Sequence, residues 1–98
     1  MENEIVEFHH EDYQFMITRF KRINWKQYKG FAQYQYFLFV LDKRLANIIK
    51  DKVFATFEDL TQNIEAVLSE YILDDAAILE CLKLVEKLNP IYLDKDEE

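Results

Sequence analysis

Apolar residues recur at spacings of three and four over four stretches of this chain, and that period predicts four helices. The first covers about 11–23, with Tyr13, Met16, Ile17, Phe20 and Ile23 on one face. Ile5 and His9 share that face and can extend it backwards. The second covers about 31–51 along a seam of Tyr34, Leu38, Leu41, Leu45 and Ile48, with Ile49 beside it. Such spacing belongs to a helix packed along its length, so Leu45 is expected in the core. The third helix, about 57–72, is announced by Thr56, whose side chain can accept from the N–H of Asp59. Its face reads Phe57, Leu60, Ile64, Val67, Leu68 and Tyr71. The fourth, about 75–88, opens at Asp74-Asp75, where either carboxylate can cap, and runs through Ile78, Cys81, Leu82, Val85 and Leu88 to Asn89-Pro90.

Residues 34–40 carry a competing pattern. Tyr-Gln-Tyr-Phe-Leu-Phe-Val is rich in strand formers and offers a strand, paired with 4–9, as the minor alternative. The seam continues unbroken through Leu45 and Ile48, and that favours the helix. Composition points the same way. One glycine (Gly30) and one proline (Pro90) leave few residues for the positive φ angles that hairpins need. The fold predicted is all-α: a compact single-domain bundle of about four helices over 1–98, with a short capped turn near Trp25 and a frayed acidic tail at 94–98.

A chain of 98 residues, 50% hydrophobic and 15% aromatic, is long and apolar enough for one core, which excludes a disordered chain. Cys81 is the one cysteine, so no disulfide framework exists, and a reducing compartment fits. The N-terminus lacks the basic and apolar regions of a signal peptide, and the most apolar run, 37–41, is too short to span a bilayer. These features predict a cytoplasmic protein with no membrane partner.

Charge is sorted by position. Residues 19–52 hold nine of the twelve bases and two acids, a net of +7, between flanks of −5 and −9. Within that third, 19–31 interleaves Arg19, Lys21, Arg22, Lys26 and Lys29 with Phe20, Trp25, Tyr28 and Phe31. Cations among aromatics suit single-stranded nucleic acid. The plainer reading makes Phe20, Ile23 and Trp25 core and the cations a solvated face balanced by the acidic third and fourth helices. A net charge of −7 repels nucleic acid at long range.

Catalytic chemistry is poorly supplied. Ser69 has no histidine near it in sequence, and a nucleophile needs a base within reach. Cys81 falls on an apolar helix face, where it acts as a small hydrophobe. One glycine cannot build a phosphate-binding loop. His9 and His10 diverge on a helix and give at most two ligands with Asp12 or Tyr13. No catalytic residue, cofactor or metal site is assigned.

What remains is surface. Tyr36, Phe39 and Val40 lie off the second helix's seam, and Phe8 and Phe15 lie off the first, bordered by Arg19 and Arg22. Aromatics flanked by arginine match interface composition. Exposed acids such as Glu65 and Glu70 can steer a basic partner. The reading is a small acidic, non-enzymatic protein-binding domain that inhibits another protein by occluding a charged site, in the manner of immunity proteins, antitoxins and phage-encoded inhibitors. That analogy rests on physical character. The alternatives are a nucleic-acid-associated factor using 19–31, with Trp25 and Tyr28 as stacking residues, and a homodimeric structural subunit joined through Tyr36, Phe39 and Val40.

Overall fold

The computed structural model describes residues 3–23 and 33–89, with the backbone alone for Asn3 and Glu4. Its first half is a sheet. Strands β1 (Asn3–His10), β2 (Tyr13–Lys21), β3 (Tyr34–Asp42) and β4 (Asn47–Phe54) pair antiparallel in chain order as a meander. Two helices follow, α1 (Phe57–Ser69) and α2 (Asp75–Val85), and a 3-10 turn (Glu86–Leu88) closes the described chain. The all-α bundle is therefore wrong: the helices expected over 11–23 and 31–51 are strands. The turn expected around Trp25 and the tail at 94–98 lie outside the described residues.

The error has a physical cause. A segment apolar at nearly every position contains both the 3.6 and the 2.0 period, so periodicity cannot arbitrate. Burial along β3 alternates strictly, with Tyr34, Tyr36, Leu38, Val40 and Asp42 inward and Gln35, Phe37, Phe39 and Leu41 on the other side. The expected partner of this segment, 4–9, pairs instead with β2 (Val6 with Ile17, Phe8 with Phe15), and β3 pairs with β2 and β4. The apparent seam ran through a turn. Leu45 sits in the β3–β4 loop at 67% exposure, and Ile48 lies on the exposed edge strand.

Nor does this meander need glycine in its described turns. Glu11 turns the β1–β2 hairpin at φ 52°, and Ala46 closes the β3–β4 loop at φ 51°. Each non-glycine residue there costs about 1–2 kcal/mol. Side-chain chemistry helps at the second loop: the buried Asp42 carboxylate accepts from the Arg44 backbone N–H at 2.9 Å, an Asx-type turn. The Lys43 N–H donates to the Asp12 carbonyl at 2.7 Å and ties the two hairpin ends together.

The helices fall close to where the pattern put them. Thr56 caps α1, its hydroxyl accepting from the Asp59 N–H at 3.0 Å. Asp74 caps α2 by accepting from the Ala76 N–H at 2.9 Å. Their apolar stripes (Phe57, Leu60, Ile64, Val67 and Leu68; Ile78, Cys81 and Val85) close over one face of the sheet. Helix α2 lies over β1, and α1 over β3 and β4. Aromatic rings carry the seam between layers. Tyr36 meets Phe57 edge-on at 5.7 Å, and Tyr13 and Phe15 meet Tyr71 at 5.1 and 6.1 Å.

Two substitutions separate the observed fold from the helical reading. Ile64→Ala is expected to cost about 2–5 kcal/mol, and Leu45→Ala less than about 0.5 kcal/mol, in equilibrium urea unfolding. Equal losses at both sites would contradict the sheet. A third substitution probes the turn: Ala46→Gly relieves the left-handed backbone and is expected to raise stability by about 0.5–1 kcal/mol in the same assay.

Candidate docking surfaces

Strand geometry sends neighbouring residues to opposite sides, and this regroups the residues expected at an interface. Tyr36 and Val40 project inward and are fully buried, while Phe39 projects from the opposite face. The three form no common patch. Phe15 is buried in the core, and Phe8 packs partly buried beside it, ring centroids 6.3 Å apart. Arg19, expected at a surface, is 1% exposed, and its guanidinium lies 3.7 Å above the Tyr34 ring. That contact is a desolvated cation–π pair. The strand register sets Glu4 opposite Arg19. Arg22 reaches across to the β4–α1 junction, where its Nη2 donates to the Ala55 carbonyl. Trp25 and Tyr28 lie outside the described residues.

The helices cover one side of the sheet and leave the other open among the described residues. On that open side the register builds three rows across the strands. One holds Ile5, Thr18, Phe37 and Val53; the next Glu7, Met16, Phe39 and Asp51; the third His9, Gln14, Leu41 and Ile48. Phe20 extends the patch at one end, edge-on to Phe37 at 5.1 Å, and Phe37 stacks toward Phe39 at 6.5 Å. A shallow groove of about 470 Å³ runs along this ridge, lined by Phe20, Lys21, Gln35, Phe37 and Phe39. Among the described residues picked from sequence, Phe39 alone belongs to it. Met16, Phe20, Phe37, Leu41 and Val53 went unrecognised. The available signal was that 34–41 is apolar at odd and even positions alike, the mark of a strand built for contact on both faces.

The second surface is the outside of the helix layer. Glu58, Glu65, Glu70, Asp75, Glu80 and Glu86 are exposed there. Among the described residues Glu65 makes no cross-layer contact, whereas Glu70 holds the Lys50 ammonium at 2.8 and 3.1 Å. That hydrogen bond pushes the Lys50 pKa up and bridges the helix layer to β4.

Groups with latent chemistry serve the fold. Cys81 is buried, and desolvation pushes its thiol to about 11. The thiolate that a nucleophile needs is therefore suppressed at neutral pH. The Ser69 hydroxyl donates back to the Glu65 carbonyl at 2.9 Å. His9 and His10 contact Glu7 and Glu11 at 3.3 and 3.8 Å. Among the described residues no three His, Cys, Asp or Glu side chains gather in a metal-binding arrangement. No helix there is long and apolar enough to cross a membrane. Comparison with known families, curated proteins and solved structures finds no match to this chain.

At the hairpin end, Arg44 lies between Asp42 and Asp12, 3.2 Å from the first and 3.4 Å from the second. The side-chain hydrogen bond from Arg44 holds the Asp42 carboxyl below its usual 3.8. A depressed carboxyl stabilises the fold above the ordinary pKa and loses that contribution as pH falls through the folded value. Asp42→Asn is thus expected to lower the urea midpoint at pH 7. Its deficit against the parent chain should shrink progressively below about pH 3.8. A deficit independent of pH would remove the ion pair from the account.

Proposed function

We propose that this chain is a non-enzymatic protein-binding domain of the inhibitor kind, which uses its acidic helix layer to occlude a basic site on another protein. The observation that carries the reading is the separation of charge by layer. Between 57 and 89 there are eight carboxylates against two lysines, a net of −6. The described strand half, 3–23 with 33–54, has six acids and seven bases, a net of +1. Charge of one sign gathered on one face steers a complementary partner and raises its association rate at low salt. Immunity proteins, antitoxins and phage-encoded inhibitors work by this kind of occlusion, and the likeness here is one of physical character.

The nucleic-acid reading loses support from the same geometry. Of the five cations in 19–31, Arg19 is stacked inside the core and Arg22 is engaged on the Ala55 carbonyl. A side chain held in that way is a poor phosphate ligand.

Affinity capture from the cells that make the protein tests the reading. Glu65→Lys combined with Glu80→Lys is a suitable probe, because both side chains are exposed and neither caps a helix. Glu70 is a worse choice, since it is committed to Lys50. A basic protein should be retained at about 50 mM salt and released well below about 500 mM, and the doubly reversed variant should fail to retain it. Equal retention by the variant would exclude the helix layer as the contact surface.

A further inference from the structure

The open sheet face supports an inference independent of the helix layer. From its dimensions and charge we infer that it is a self-association surface, on which a second copy of this chain packs face to face about a two-fold axis.

Size is the first argument. Four strands about 4.8 Å apart and about eight residues long, at about 3.3 Å each, make a face of roughly 19 by 26 Å, or about 500 Å². Two such faces in contact cover about 1,000 Å² in plan, and more once side-chain relief is counted. That reaches the ~1,000 Å² at which specific interfaces begin and falls in their weak range. A single sheet face matches another of equal width, length and twist, and two such sheets pack about 10 Å apart with strands inclined by about 30°. Identical copies satisfy that match automatically, and a two-fold arrangement closes on itself.

Charge selects this face over the others. Its centre is Met16, Thr18, Phe37 and Phe39, and its carboxylates, Glu7 and Asp51, stand at opposite edges of one row. The helix layer, at −6, repels its own copy. Strand β4 is a poor lateral edge. It carries Lys50, Asp51 and Lys52, and its register with β3 shifts between Val40 and Leu41, leaving Ile49 as the extra residue. Antiparallel pairing of β4 with itself about Asp51 sets carboxylate against carboxylate and Lys50 against Lys52. Face-to-face contact leaves Lys50 and Lys52 outside the seam, because they pair with the inward-facing Val40 and Leu38, and it removes from water a ridge of Phe20, Phe37 and Phe39, with Ile5 and Val53 at 63% and 60% exposure beside it. Both acidic helix layers then face outward.

Sedimentation velocity over about 1–300 µM, with light scattering, tests this on the full chain. The expected result is a mass rising from one chain to two, with half-association in the micromolar range that an interface of this size supports. Phe39→Ser is expected to weaken association by about tenfold or more. Val53→Lys, at an exposed edge position where folding is not at risk, should do the same with an unchanged circular dichroism spectrum. Glu65→Lys with Glu80→Lys should leave the dimer intact, so loss of basic-partner capture and loss of dimer are read separately. A parent chain that stays monomeric at about 300 µM overturns the inference, as does a dimer indifferent to both face variants. Saturable binding of a single-stranded oligothymidylate that Phe39→Ser abolishes, without a dimer, overturns it in favour of a base-stacking platform.

Discussion

Tyr34, Tyr36, Leu38 and Val40 project from one side of β3 into the space closed by Phe57, Leu60, Ile64 and Leu68 of α1, and this buried layer organises the molecule. A two-residue period leaves no freedom in what the other side carries. With one set of side chains sealed, Phe37, Phe39 and Leu41 must stand on the far face. The neighbouring strands follow the same parity: Phe15 and Ile17 join the core across from Val40 and Leu38, and Met16 joins the open face across from Phe39. One register thus produces both a core and an apolar exterior.

The same layering accounts for the charge distribution. Helices with apolar stripes turned to the sheet present their remaining positions to solvent, and in α1 and α2 those positions are mainly glutamate and aspartate. The strand half contains its cations differently. Arg19 is absorbed over the Tyr34 ring, Arg22 is anchored to Ala55, Arg44 is held between two aspartates, and Lys50 is bridged to Glu70. These four described cations are therefore held in individual structural contacts, while the helix layer carries a net charge of −6 at its surface.

Polar groups within or beside the core are matched to local tasks. Asp42 organises a turn without glycine, and its partnership with Arg44 makes the hairpin end sensitive to acid. Cys81 fills space between the layers as a protonated thiol. The first pairs a carboxylate with a guanidinium that holds its charge in place, and the second keeps a thiol from ionising at neutral pH.

Much of the second half was legible in the sequence. Thr56 and Asp74 mark helix starts by local chemistry, a short polar side chain reaching its own backbone, and the stripes of α1 and α2 alternate with enough polar residues for their period to be unambiguous. Cys81 and Ile64 fall on those stripes, and both lie in the core. The first half was not legible. Its apolar residues are dense enough to satisfy a helix and a strand together, and the scarcity of glycine argued against hairpins that Glu11 and Ala46 turn nonetheless. Only pairing between strands distant along the chain could choose, because a strand is stabilised by hydrogen bonds and side-chain contacts to neighbours that local pattern does not contain. That choice decided which residues face outward. Tyr36 and Val40 went in, Phe39 stayed out, and Phe20, Phe37 and Met16 joined it on a surface created by the register between strands.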